Sequence, residues 1–410
     1  MTNALTTRQA GLIVFVAMLC NKMLSLNSLI AYGALNDSWI VFLISFVIDF
    51  LFVLIFLYFM KKIDKPILVY IKERFGKVTS VTVAILFAIL FLFRTTQIAV
   101  DIYLFFVQLI YVEINRVVFV ICFLTIIFYF GTRKLRSLGR TAELVIFLIV
   151  ISLGLSFVMS MKAIDFEKLL PIFSHNFLSL GREIVLHNLW FGDFLLFFYF
   201  VGNVKMEKNT PKRLIWSYVL SCAIILLFVV IFTSAFGNTA SMHRVAVIDV
   251  TEFSPRLLAQ GRYNWLVYFM FPIVLVLGLG IYSSYVTMSY KFCIRDSVKS
   301  KNTISGLLTT ASVLALFFVF RFTYSAFYNF VVGGFFYYVL AIQYVLPILL
   351  LVMISIDSTI TSKKSRYPLR QKASGISNSK MQSKQAQNKR VKHNKNVLGK
   401  SSKKNAEVQA

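Results

Sequence analysis

Nine ionisable side chains lie within or at the edge of long apolar stretches of this chain: Lys22, Asp49, Arg94, Asp101, Glu143, Glu183, His187, Asp193 and Arg321. A charge at bilayer depth is costly, so such residues either line an ion or substrate path or are paired structurally. Lys22 sits about halfway along the first stretch, beside Asn21, where snorkelling to either interface is hard. It could hold a fixed positive charge at a binding site, taking the place of a coupling sodium ion or meeting a substrate carboxylate. It could equally be paired with Asp49, Asp101 or Asp193. Asp193 follows Gly192 in Trp190-Phe191-Gly192-Asp193. Glycine lets a backbone unwind or approach closely, and an acid beside it could pair with Lys22 or accept a proton. A packing glycine next to a structurally paired acid is the alternative. Arg94 and Asp101 are seven residues apart, two helical turns, and share one face. Each is expected to pair with a neighbouring helix. Ser283 and Ser284, near Gly278 and Gly280, offer hydroxyls to a cation or simply close helix packing. His187 could relay protons or be a hydrogen-bonded helical histidine.

No nucleophile elbow, phosphate-binding glycine loop, metal-ligand cluster or catalytic acid pair occurs, so an enzyme is not expected, nor a cofactor. Cys20, Cys122, Cys222 and Cys293 are far apart and read as small buried hydrophobes.

The elements that must position these residues are membrane helices. Hydrophobic residues make up 58% of the 410 residues, above the roughly 45–50% of soluble domains, and mean hydropathy is +0.75. Runs such as Trp39 to Met60 are long enough to span a hydrocarbon core of about 30 Å. Ten spans are expected, near 9–31, 39–60, 79–109, 115–131, 141–160, 183–204, 214–236, 264–290, 304–321 and 328–356. This is an all-α polytopic membrane protein, with a transmembrane domain over 1–360. No basic leader or small-residue cleavage site precedes the first span, so that span is expected to be retained. Pro272 and Pro347 are expected to kink the eighth and tenth spans. Spans 1 and 6 are interrupted by polar residues, Cys20-Asn21-Lys22 in one and Glu183, His187 and Asp193 in the other. Broken helices at matching positions of two five-helix inverted repeats point to a midplane binding site.

Basic residues alternate between loop sets, nineteen on one side against seven on the other before the tail is counted. Both termini are therefore expected in the cytoplasm. Two long loops, 161–182 and 237–263, fall on the opposite side and could act as lids or mere connections. A short amphipathic helix is plausible in the first. Residues 361–410 carry fourteen Lys or Arg and one acid. This tail cannot bury enough apolar surface to order itself. It is expected to attract anionic lipid and, with no interleaved aromatic residues, not to bind nucleic acid specifically.

Several short motifs resemble the spore germination permeases, the B subunits of germinant receptors. They are Leu5-Thr6-Thr7-Arg8-Gln9, Leu35-Asn36-Asp37-Ser38-Trp39, the basic loop Ile71 to Lys77, Arg94, Arg140-Thr141-Ala142-Glu143, Asp165 to Pro171, and Phe191-Gly192. Cys20-Asn21-Lys22 stands where that family usually has Gly-x-Gly, and Asp193 where it has the second of two paired glycines. The resemblance implies ten spans of the amino acid–polyamine–organocation superfamily. It also implies a LeuT-like fold of two inverted five-helix repeats with helices 1 and 6 broken. Such proteins work with A and C subunits to sense nutrients such as amino acids or sugars in dormant spores. Binding would fall between spans 1, 3, 6 and 8, placing Asn21, Lys22, Arg94, Asp101, Gly192, Asp193, Ser283 and Ser284 at the ligand. The expected location is the cell membrane or spore inner membrane. A proton- or sodium-coupled amino acid transporter and a non-transporting membrane scaffold are the alternatives.

Overall fold

The structure, a computed structural model, describes residues 4–110, 116–161, 164–173, 176–252, 264–295, 300–320, 329–330, 333 and 336–357. Arg321, the distal part of loop 237–263, and the tail with its boundary at 360 lie outside these residues. The chain divides into two units, Met1–Leu349 and Leu350–Ala410, and the described part of the second is helical.

Among the described residues the regular structure is helical, apart from one isolated parallel bridge between Leu5 and Val204. The first span is two helices, α1 (Thr7–Lys22) and α2 (Leu26–Ala34), followed by α3 (Ser38–Lys62). A short α4 (Ile67–Phe75) precedes α5 (Lys77–Ile110), α6 (Arg116–Thr132) and α7 (Leu135–Ser160). Then come α8 (Phe177–His187), a 3-10 segment Asp193–Phe200, α9 (Thr210–Phe236) and α10 (Ala246–Glu252). The series closes with α11 (Asn264–Cys293), α12 (Lys301–Val319) and α13 (Phe336–Asp357).

Eight helices among the described residues are long and apolar enough to cross a membrane. The two expected spans missing from that set have physical reasons. The break after Lys22 leaves α1 only 16 residues, about 24 Å at 1.5 Å per residue. α6 has 17 residues, about 26 Å by the same rise. Leu144, Phe147 and Ile151, spaced as one helical stripe on α7, are exposed. In water such a stripe would be a liability, whereas lipid is its natural solvent. α11 lies at the centre, packed on α1, α5, α6, α7 and α12. It runs unbroken through Pro272.

Loop motifs close the ends of the bundle. Thr6 and Gln9 form a reciprocal capping box at the start of α1, Thr6 Oγ1 accepting from Gln9 N at 3.3 Å and Gln9 Oε1 from Thr6 N at 3.2 Å. Leu5 N donates to Asn203 O at 2.8 Å, and Lys205 N donates to Leu5 O at 3.0 Å. Arg8 Nε and Gln9 Nε2 both reach the Glu143 carboxylate, at 2.8 and 3.1 Å. At the other end, Asp165 caps the short Phe166–Leu169 turn, and Lys168 Nζ donates to the Ala235 carbonyl at the end of α9, 2.8 Å. Asp37 Oδ1 accepts from Phe173 N at 2.8 Å, and Asn36 Nδ2 donates to Leu170 O at 3.2 Å.

The stretch 61–78, expected as a basic loop, is partly helical. Its α4 buries Ile67, Leu68 and Ile71 while Lys72 and Arg74 face outward. The short run of apolar residues is too brief to register as a span yet long enough to seat one helical face. Loop 237–263 likewise contains α10, with Ala246, Val247, Ile248, Val250 and Thr251 buried.

Gly202 marks a close backbone approach to the residues just before α4. Its φ is +72°, and a Cβ there would lie 2.1 Å from the Lys65 carbonyl carbon and oxygen. Backbone cannot rotate away, so Gly202→Ala is expected to cost about 2–3 kcal/mol through clash and left-handed strain. Gly154→Ala, in the helix α7 and with nothing within 4 Å, should be neutral or slightly stabilising. Thermal unfolding of the two purified variants checks the contrast.

Candidate functional site at the paired helix breaks

Each break exposes backbone groups that a continuous helix would have paired, at a depth where water is scarce. α1 ends at Lys22, and Met23 to Ser25 are non-helical before α2 begins. α8 ends at His187, continues as the turn Asn188–Trp190, and is broken at Phe191-Gly192. Gly192 has φ +90°, and a Cβ there would sit 2.5 Å from Gln343 Nε2. The left-handed φ is what calls for glycine here, and a side chain would also have to displace the Gln343 amide.

Side chains from α1, α2, α3, α5 and α13 satisfy the freed groups. Asn27 Nδ2 donates to Lys22 O at 2.8 Å, and Asn21 Nδ2 donates across to Trp190 O at 3.2 Å. Arg94 Nη2 on α5 donates to the carbonyls of Leu189 and Phe191. Gln343 Nε2 and the Tyr344 hydroxyl on α13 donate to Asn188 O at 3.2 and 3.4 Å. The Asp49 carboxylate on α3 accepts from Gly192 N, at 2.8 Å to its nearer oxygen, and from Asp193 N at 3.1 Å. Asp49 thus caps the start of the 193–200 segment, as an acid at a helix N-terminus does.

Across the two breaks, Lys22 Nζ pairs with the Asp193 carboxylate, with both side chains almost fully buried. The ammonium also lies 5.0 Å from the centre of the Phe191 ring and 5.8 Å from that of Phe46, a favourable cation–π environment. Tyr282 OH donates to Asp193 Oδ1 at 3.4 Å. Around the span 1 break, three buried acceptors have no hydrogen-bond donor: Asn21 Oδ1, Asn27 Oδ1 and Asp101 Oδ2. The other Asp101 oxygen accepts from Ser25 Oγ at 2.6 Å. An ammonium group or a water could use these acceptors. A void of about 20 Å³ beside Arg94, Gln97 and Gln343 holds roughly one water.

Of the residues singled out from sequence, Asn21, Lys22, Arg94, Gly192 and Asp193 converge here. Asp101 lies at the span 1 break, and its helix partner Arg94 at the span 6 break, so α5 touches both. Ser283 and Ser284 are buried on α11, where they donate to their own helix at Gly280 O, 3.1 Å, and Ile281 O, 2.8 Å. The neighbouring Tyr282 reaches the ion pair instead. Gly278 permits close packing, since a Cβ there would lie 2.4 Å from Cys20 Sγ. His187 Nε2 is 3.2 Å from Glu183, one turn away. Asp49 carried a signal as an ionisable residue within a span, although its role as a cap did not follow from it. Gln343, Tyr344 and Tyr282 carried none, because amides and tyrosines are unremarkable in any membrane helix.

The family model for spore germination proteins matches residues 4–326. The chain belongs to the spore germination permease family. No curated protein matches it. The chain is a multi-pass membrane protein, and its matched region contains both breaks and every pairing between α1, α3, α5, α8 and α11 described above.

Removing one partner of a buried ion pair strands the other charge, typically at about 3–5 kcal/mol. Lys22→Met and Asp193→Asn are each expected to destabilise the protein by that order. The double substitution should cost clearly less than the sum, giving a coupling energy of about 2 kcal/mol or more. Thermal melts of the four proteins in lipid nanodiscs measure it, and additive losses would show that the two charges do not depend on each other.

Proposed function

We propose that this chain is the membrane subunit of a spore germinant receptor, binding a small nutrient such as an amino acid between the two helix breaks. In this reading the bundle has ten spans in a LeuT-like 5+5 inverted repeat, with both termini cytoplasmic, in the spore inner membrane or the cell membrane. It works with A and C subunits, and its basic tail is drawn to anionic lipid at roughly 1 kcal/mol per basic residue near the surface. The observation that carries the proposal is the buried Lys22–Asp193 pair spanning both breaks, beside three buried acceptors without donors.

The chemistry of those groups suits a zwitterion. An ammonium group would meet Asn21 Oδ1, Asn27 Oδ1 and Asp101 Oδ2. A carboxylate would compete with Asp193 for Lys22. Loosening that pair releases the hold between the broken helices, which is a two-state change that ligand binding can drive only through its differential affinity for the two states. The coupled-transporter reading draws on the same pair, with Lys22 as a fixed cation where other transporters use an ion. The scaffold reading draws on the void of only about 20 Å³ at the span 6 break.

Binding of labelled amino acids and sugars to the purified protein tests the proposal. Saturable binding is expected for at least one, weakened about tenfold or more by Asn27→Ala, on the order of 1.4 kcal/mol or more. Uptake into proteoliposomes would move the reading to a transporter. Spores lacking the gene that germinate normally on every nutrient would sink the receptor.

A further inference from the structure

A separate cluster of cations surrounds two adjoining cavities at the face that carries the basic loops. One, of about 300 Å³, lies between the start of α4, the end of the 193–200 segment and the facing ends of α11 and α12. The other, of about 230 Å³, lies at the turn between α6 and α7. Asn203, Met288 and Lys291 line both. Lys301 lines the first, and Arg133 and Lys134 the second. None of the described lining residues is acidic.

Three observations point to an anion. Lys291 lies close enough to Lys301 and Lys134 for their charges to act on it. An anion entering the cavities would meet the positive potential of the cations that line them. Arg133, which lines the second cavity, has its guanidinium over the Tyr129 ring at 4.5 Å. The N-termini of α7 and α12 also open here, through Leu135 in one cavity and Lys301 and Asn302 at the start of α12. Neither start is capped by a side-chain hydrogen bond, which leaves first-turn N–H groups and the positive end of the helix dipole for a ligand.

We propose that these cavities form a binding site for a phosphate-bearing anion, held between Lys291, Arg133 and Lys301. The surroundings favour the headgroup of an anionic lipid as its source. Ile67, Leu68, Met288 and Phe292 make an apolar wall. On α12, Ile304 and Leu308 follow Lys301 at three and seven residues and are exposed, so an apolar stripe leads from the cation toward lipid. Basic pockets between membrane helices recognise headgroups in this way. The second cavity is also lined by Leu5 and Asn203, whose backbones pair, so an occupant would touch the contact that joins the inner ends of both broken helices.

The test uses the full chain, tail included, in nanodiscs of phosphatidylcholine with and without phosphatidylglycerol. Thermal melting is read, together with acylation of Lys291 relative to the tail lysines by mass spectrometry. Phosphatidylglycerol is expected to raise the melting temperature and to protect Lys291 more than the tail. The doubly substituted Lys291→Gln/Arg133→Gln protein, shown to melt normally in phosphatidylcholine alone, should lose most of that rise. If inorganic phosphate or glycerol phosphate protects Lys291 and the lipid does not, the site stands with a soluble phosphate as its ligand. Equal rises in both proteins, or no preferential protection of Lys291 by any phosphate in the unsubstituted chain, would overturn it. The protection measurement needs no variant, so a misfolded double substitution leaves the proposal open to refutation.

Discussion

An ammonium and a carboxylate taken out of water lose more hydration than their attraction returns, unless both are held and their remaining hydrogen-bonding capacity is used. Lys22 and Asp193 meet under that constraint, each at the edge of a helix break and both nearly inaccessible. The surrounding groups follow from it. Phe191 and Phe46 shelter the ammonium with ring faces, and Tyr282 donates to the carboxylate. Asp49 takes the two N–H groups that open the 193–200 segment, and Arg94 takes two carbonyls that precede it. The breaks could not persist at bilayer depth without these partners, and the partners would be unpaired polar groups without the breaks.

The two ends of the bundle are held by a different kind of contact. There, loop side chains bind backbone groups at helix ends, in the manner of Thr6 with Gln9, Lys168 with Ala235, and Asp37 with Phe173. The side chains that make these contacts, Thr6, Gln9, Lys168 and Asp37, lie within the short motifs by which the chain resembles its family. Their chemistry is that of capping and loop docking, so the resemblance rests largely on how helices are terminated and joined. At the span 1 break the side chains of Asn21 and Lys22 supply polar contacts to the other break.

Much of the fold could be read directly. Runs of apolar residues marked the helices, and α3, α5 and α6 begin and end within a few residues of the expected spans. Polar interruptions marked both breaks, because a lysine in mid-span or a glycine before an acid contradicts an uninterrupted apolar helix. α7 and α9 start earlier than hydropathy suggests, at Leu135 and Thr210, since a helix can continue into water after its apolar face ends. α4 and α10 were missed because a helix of nine or seven residues carries too few apolar positions to stand out.

The candidate site was only partly legible. The amino-acid order by itself determined that Lys22 must have a buried partner or a ligand, and that Arg94 and Asp101 share a face of one helix. It left Asp49, Asp101 and Asp193 as candidate partners for Lys22. Tertiary structure chose Asp193, gave Asp49 to the backbone of the second break and tied Asp101 to Ser25. It also turned the hydroxyls of Ser283 and Ser284 onto their own helix and brought Tyr282 to the ion pair. Local periodicity dictates which residues lie along one side of a helix, a property of a few consecutive turns. Which side meets which neighbour depends on rotation and register between helices far apart in sequence, and only their packing settles that.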